Sequence, residues 1–408
     1  LSAADIDKNG KSVIAAFSLK EKIIGLSRYA DNRLSFPQSL KVSGEPVAMT
    51  TADIDNDSKI DCIYISKDPN DKRQLRIIYD LGKNSEDLEP NSLLAIDKLE
   101  SNPEGIKCID VDQDGLLDIL VFVKFDSPIL IRQTEIGEFE IIDSPYAQAS
   151  LVKNTSISTV TAANINGKNK LQLLIAEKNF ARSLLFENGK TWKVTDQYNA
   201  KSTENSIIAV NAFKLDGISD GKKPAIFLLD GQKGQLQILT AGEDNTYRFY
   251  KQLDVGRWNN SQHTKIMQVN IGKEKNILLF DSEKFALINP PDKDEGTLNF
   301  EQMFSYETKI KEGVYGNIIC GDINADSRED IIMVEYKRNH IEILALDADS
   351  RPVPAIRFKI FEQKSYIDDK SSKSSVEPRE LKVSNVTGDD MPDLVTIIHD
   401  RIIIYPQD

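Results

Sequence analysis

The sequence predicts an all-β fold, a single β-propeller built from four-stranded blades. Three observations carry that expectation. A polar frame recurs at a spacing of 48 to 63 residues along the whole chain. Each period is filled with short apolar runs separated by Gly, Pro, Asp and Asn. No stretch keeps a 3.6-residue apolar period over a helix length.

The frame is clearest at Asp110-Val111-Asp112-Gln113-Asp114-Gly115-Leu116-Leu117-Asp118, which runs into the apolar residues 119–123. Counted from its first residue, it places polar oxygen at positions 1, 3, 5 and 9. It returns at Asp53, Asp55, Asp57 and Asp61, then at Asp322, Asn324, Asp326 and Asp330, and finally at Asn385, Thr387, Asp389 and Asp393. Weaker copies fill the gaps. Asp5, Asp7 and Asn9 keep the first three positions, with Val13 at the ninth; Asp216 and Asp220 survive in another copy; those opening at Asn164 and Asn270 have lost their acids. The frames therefore begin near residues 5, 53, 110, 164, 216, 270, 322 and 385. Eight frames favour eight blades, with a seven-bladed ring and one displaced frame as the alternative.

Within a period the pattern is β throughout. After Asp118 come the runs 119–123, 129–131 and 139–142, and residues 158–161 precede the next frame. The periods at 225–229, 236–239 and 247–250, and at 331–334, 341–344 and 356–360, repeat the scheme. Four strands per fifty-odd residues read as a propeller blade. A solenoid of stacked sheets is the competing array, but it wants capping repeats, and the sequence offers none. The one long spacing, before the frame at 385, is filled by the Ser/Lys-rich stretch 365–380, an expected exposed loop. The last repeat stops after 401–405 without an obvious fourth strand, which either comes from residues upstream of Leu1 or is missing.

Composition narrows the function classes. The 408 residues carry 51 Lys+Arg against 64 Asp+Glu, a net charge of −13. Such acidity argues against nucleic-acid backbone binding and against a basic membrane-surface helix. No apolar run reaches the roughly 18 residues of a membrane span. The recognised frames hold 17 aspartates, more than the whole net excess of 13, so the acidity belongs to local sites rather than to an acidic coat. Cys62, Cys108 and Cys320 are too few for a disulfide scaffold and read as buried thiols. With only His263, His340 and His399, zinc sites and His-based triads lack material.

Alternating acids in a tight loop suit a hard cation that takes six to eight oxygen ligands. Positions 1 to 6 resemble the start of an EF-hand loop, but the ending differs. The distal acid is Asp at position 9, and position 12 is Tyr64, Val121 or Met333 inside a β run. The frame therefore reads as a loop inside a β-hairpin, closed by an acid that begins the next strand.

This unit, in four-stranded repeats, resembles the FG-GAP/VCBS repeat of integrin-α-like propellers, in a divergent branch without the literal Phe-Gly and Gly-Ala-Pro elements. The resemblance spans essentially the whole chain. It implies structural Ca²⁺ held by Asp53, Asp55, Asp57 and Asp61; by Asp110, Asp112, Asp114 and Asp118; by Asp322, Asn324, Asp326 and Asp330; and by Asn385, Thr387, Asp389 and Asp393. It further implies an exported protein (extracellular, surface-bound or periplasmic) that presents a face to a protein or glycan ligand and is monomeric or part of a larger chain. Some calcium-rich propellers of this type are polysaccharide lyases, so an enzyme is the alternative, as is a propeller domain of a larger surface protein.

Other candidates are thinner. His263, Lys265, Arg257, Trp258 and Tyr250 are the set a lyase could draw on; Trp192, Trp258, Tyr247, Phe249 and Tyr250 could stack on sugars, with core packing the ordinary alternative. His399-Asp400 reads as turn polarity, and Asn154, Asn259 and Asn385 open glycosylation sequons. No phosphate loop or nucleophile elbow is present.

Overall fold

The computed structural model describes the chain apart from residues 124–125, 143–150, 153–154, 156–159, 166–170, 188, 190, 216–222, 245, 259–263, 290–302, 307–309, 311–312, 361–376, 379, 390, 399–400 and 408. It forms two compact units, Leu1–Ala200 with Val386–Gly388, and Lys201–Asn385 with Asp389–Asp408.

In the first unit, blade 1 comprises Ser2–Ala4, Val13–Ser18, Ile23–Ser27 and Gln38–Ser39, with a small hairpin (Tyr29–Ala30, Arg33–Leu34) inserted before its last strand. Blade 2 comprises Glu45–Ala52, Asp61–Lys67, Arg73–Ile78 and Asn91–Ala95. Blade 3 comprises Gly105–Ile109, Asp118–Phe122, Ile129–Glu135 and Glu138–Ile141, and blade 4 Val160–Ala163, Gln172–Ala176, Phe180–Glu187 and Thr191–Asn199.

In the second unit, blade 5 comprises Ile207–Phe213, Ala225–Asp230, Gln235–Ala241 and Tyr247–Asp254, and blade 6 Lys265–Ile271, Glu274–Phe280, Phe285–Ile288 and Met303–Tyr306. Blade 7 comprises Tyr315–Gly321, Asp330–Glu335, His340–Leu346 and Pro352–Lys359. Blade 8 has three strands among the described residues, Glu380–Ser384, Asp393–Ile398 and Arg401–Tyr405. All are antiparallel meanders, and the only helix among the described residues is the 3₁₀ turn Ser85–Asp87. The fold class is thus the eight-bladed β-propeller, and the seven-blade alternative falls. The stretch 365–380 lies largely outside the described residues.

Why the second strands read as unbroken apolar runs is now plain. Side chains alternate across a strand, and here both faces are covered. In Asp61–Lys67, Cys62 and Tyr64 enter the core shared with blade 1, while Ile63 and Ile65 enter the core shared with blade 3. Blade 3 divides its strand the same way: Ile119 and Val121 face blade 2, Leu120 and Phe122 face blade 4. In the second unit Ile331 and Met333 pack with blade 6, and Ile332 and Val334 with blade 8. Each fully buried side chain of this kind contributes about 1.5–3 kcal/mol.

Candidate metal centres

Each intact frame is the loop between the first and second strands of a blade. The loop is closed by the cross-strand pairs Ala52–Asp61, Ile109–Asp118, Gly321–Asp330 and Ser384–Asp393, so the position-9 acid is the first residue of the second strand. Position 2 is apolar for a packing reason: Ile54, Val111 and Ile323 are core residues that anchor the loop. Positions 4 and 6 are left-handed, at Asn56 and Ser58 (φ 59 and 64), Gln113 and Gly115 (64 and 99), and Ala325 and Ser327 (57 and 67). Lys8 and Gly10 in the first frame match them (52 and 81).

The acids sustain this unfavourable backbone. At position 1, Asp110 accepts the N–H groups of Asp114 (3.1 Å) and Gly115 (3.0 Å), and Asp322 those of Asp326 (3.0 Å) and Ser327 (2.8 Å). Asp53 accepts from Ser58 at 2.9 Å. At position 3, Asp55, Asp112 and Asn324 accept from the position-5 N–H at 3.1–3.2 Å. Position 5 accepts from position 7, at Asp57, Asp114 and Asp326. Position 9 ties the loop to the blade: Asp61 accepts from Ile54 (2.9 Å) and Asp80 (2.8 Å), and Asp118 from Val111 and Gln133, both 2.9 Å. Asp330 accepts from Ile323 and Asp393 from Gln407.

The position-9 carboxyls are buried, between 0 and 2 % exposed. Desolvation, aided by the neighbouring acids, lifts Asp118 from an ordinary 3.8 to about 7. The same causes lift Asp61 and Asp330 to about 6. Burial also raises Asp55 and Asp110.

Two frames gather three acids each. Asp53, Asp55 and Asp61, and likewise Asp110, Asp112 and Asp118, bring one carboxylate oxygen apiece within 4.8 Å of one another. Each group could hold a metal ion. The donor chemistry fits a hard cation, and a buried oxygen of Asp53 has no hydrogen-bond partner. Position 5 stands outside both groups. Asp57 faces the Lys59 ammonium at 3.3 Å, and Asp114 faces the Arg132 guanidinium at 3.1 Å, which also holds Asp112 at 2.6 Å.

The remaining frames differ. Asp326 is held by Arg328 at 2.7 Å, and Asn324 replaces an acid. The frame at 385 keeps Asp389, which accepts from Met391, and the buried Asp393. In the first frame Arg28 grips Asp7 through two hydrogen bonds, at 2.8 and 3.0 Å. The frame at Asn270 is a tight hairpin, since Ile271 pairs with Glu274, and Asn270 is clasped by Glu329. Residues 166–170 and 216–222 of the other two weak copies lie outside the described residues.

Sequence reading missed the links between loops. Asn56 donates to the Gly115 carbonyl (3.0 Å), Gln113 to Leu171 (2.7 Å), and the buried Gln133 to Ile54 (3.0 Å), each reaching a neighbouring blade. Position 4 carries the only signal that could have shown this, a long amide in both tetra-acidic frames. The sugar-stacking set disperses. Trp192 is buried edge-on against Phe186, and Trp258 is buried with its N–H on Val255 O. Phe249 and Tyr250 stay exposed, Arg257 is exposed and Lys265 half-buried. His263, His399, Asp400, Asn154 and Asn259 lie outside the described residues.

No protein-family model matches the chain, and no curated protein matches it. Solved structures do. A Lactobacillus plantarum protein is 8% identical over 95% of this chain and 87% of its own, with a TM-score of 0.42. A protein of unknown function from Desulfotomaculum acetoxidans is 12% identical over 83% of this chain and 93% of its own, TM-score 0.42. A Bacteroides fragilis protein provisionally assigned as a 6-phosphogluconolactonase is 11% identical over 83% of this chain and 91% of its own, TM-score 0.45. At these identities none bears on activity.

Proposed function

We propose that this chain is a non-catalytic, calcium-stabilised propeller scaffold of the FG-GAP/VCBS type, exported, and presenting a rigid face to a protein or glycan ligand. The observation that carries the calcium reading is the convergence of position-1, -3 and -9 carboxylates in two blades, with a buried oxygen of Asp53 left unpartnered. Crowded, desolvated carboxylates are costly without a cation, and calcium supplies one whose flexible coordination suits such loops. Asp322, Asn324, Asp326 and Asp330, and Asn385, Thr387, Asp389 and Asp393, would serve as weaker sites with fewer charges. In each case the ion fastens a loop to its own blade, which makes its role structural. Export rests on the match between weak sites of this kind and millimolar extracellular calcium. No described helix is long and apolar enough to cross a membrane.

The test is metal analysis of the purified protein with thermal unfolding in EDTA and in millimolar calcium. Bound calcium and a melting temperature that rises with free calcium are expected from ligand linkage. A metal-free protein whose melting temperature ignores calcium refutes the reading.

A further inference from the structure

The loops at Asp53 and Asp110 carry the same four acids and gather the same three of them. They differ in what the third strand of the blade sets opposite position 9. The ladder runs through Cys62–Ile78 in blade 2 and Ile119–Ile131 in blade 3, so one step further Asp61 faces Tyr79 and Asp118 faces Arg132. The next residue along marks the two places as equivalent, since the Asp80 N–H donates to Asp61 and the Gln133 N–H to Asp118. Blade 1 follows the arginine pattern. Its ladder pairs Ile14 with Ser27, so Val13 at position 9 faces Arg28.

An arginine at this register is a cation held inside the loop. Arg132 Nε donates to Asp112 at position 3 (2.6 Å), and a terminal nitrogen donates to Asp114 at position 5 (3.1 Å). The pair is enclosed, with the Asp112 side chain 5% exposed and that of Arg132 18%, so salt and water screen it little. Arg28 uses the same two nitrogens on Asp7, at position 3 of blade 1, where the position-9 acid is absent. That loop keeps its left-handed turns at Lys8 and Gly10 with the guanidinium as its cation. Blade 2 is built otherwise. Tyr79 brings no positive charge, and burial together with Asp55 and Asp61 holds its phenol protonated. Asp55 at position 3 pairs with no cation among the described residues, and a buried oxygen of Asp53 has no hydrogen-bond partner. Lys59 reaches only position 5, from within the loop; it is 44% exposed and divided between Asp57 and Asp80. A calcium ion takes six to eight oxygens, and in blade 3 it must draw positions 3 and 5 away from Arg132 against like charge. We propose that Arg132 is a tethered cation that stands in for calcium in the blade 3 loop, so that the Asp53 loop is the tight site and the Asp110 loop fills only as Arg132 is displaced.

This assignment rests on the calcium reading above and ranks its two strongest loops. The test is isothermal titration of calcium into the full chain after chelation, with native mass spectrometry counting the ions. The wild type should show one tight site, abolished by Asp55→Asn and spared by Asp112→Asn. Arg132→Tyr, which gives blade 3 the residue found in blade 2, should tighten the Asp110 loop by about tenfold or more and so add a second tight site. Tyr79→Arg should weaken the Asp53 loop by a similar factor. Binding gained in Arg132→Tyr cannot come from misfolding, which keeps the exchange decisive even if Tyr79→Arg is poorly folded. Two equally tight sites in the wild type, one lost in each Asn variant, overturn the proposal. So do affinities that Arg132→Tyr leaves unchanged. In both cases calcium still binds, and only the ranking of the loops falls. A chain that binds no calcium in any of these forms overturns the ranking and the calcium scaffold together.

Discussion

Replacing Asp118 by Asn should change stability with a sign that depends on pH and calcium. Asp118 is fully buried and its carboxyl is lifted from 3.8 to about 7. At 1.36 kcal/mol per unit, holding it ionised costs the metal-free fold about 4 kcal/mol. Because the folded-state value lies above the unfolded one, this cost is absent below about pH 4 and complete above about pH 7. Asparagine removes the charge but keeps one acceptor. It can serve either the Val111 or the Gln133 N–H, both 2.9 Å from the native carboxylate, and turns its amide toward the other. That mismatch costs about 1–3 kcal/mol. In EDTA at pH 8 the variant should therefore be more stable by about 1–3 kcal/mol, and in EDTA at pH 5, where the cost has fallen to about 1.7 kcal/mol, that advantage should shrink by about 2–3 kcal/mol. Calcium at a hundredfold excess over its dissociation constant adds about 2.7 kcal/mol per site. The variant, with one site fewer, should lose its pH 8 advantage in calcium. Melting temperatures should follow at about 2–4 °C per kcal/mol for a unit of this size. An equal shift in EDTA and calcium, or equal destabilisation at pH 5 and pH 8, would refute both the buried-charge cost and its relief by metal.

Three further outcomes follow from the same geometry. Arg132→Ala removes the cation on Asp112 and Asp114 and should destabilise the protein by about 1–3 kcal/mol in EDTA but by less in calcium; an identical loss in both buffers would show that ion and guanidinium do not substitute for each other. Ile54→Ala empties a fully buried position between blades 2 and 3 and should cost about 2–5 kcal/mol in denaturant titration, and a loss under 1 kcal/mol would contradict its role as the loop's anchor. Burial pushes the Cys62 and Cys108 thiols to about 12 and raises Cys320 as well, so a thiol reagent at pH 8 should label all three only after denaturation; rapid labelling of the native protein would show a more open packing.

How much of this was legible in the residues follows from the range over which each feature is decided. The loop frame is local: side chains at positions 1, 3 and 5 bond N–H groups two to five residues ahead, so spacing alone encodes the turn. Ser58 and Ser327 show that glycine at position 6 is dispensable once those bonds exist. The doubly buried second strands were legible for a similar reason, since an apolar residue at every position has no solvent face to offer. The clasp of Asn270 by Glu329 could not be read, because Glu329 belongs to the next blade. The split of Trp192 and Trp258 into separate cores was equally hidden, because ring burial depends on strands far apart in the chain.

The sequence by itself determined the all-β class, the eight-fold repeat and the placement of the acids at strand junctions. Each of these is written within one period of the chain, in spacings that short-range sterics and hydrogen bonds enforce. Tertiary structure alone decided which acids converge. It set Asp61 and Asp118 deep enough to lift their carboxyls and gave Asp112 and Asp114 to Arg132 on the third strand of the blade, whereas Asp57 takes the Lys59 ammonium from its own loop. Burial and the Arg132 pairing arise between segments distant in sequence, so no local spacing carries them.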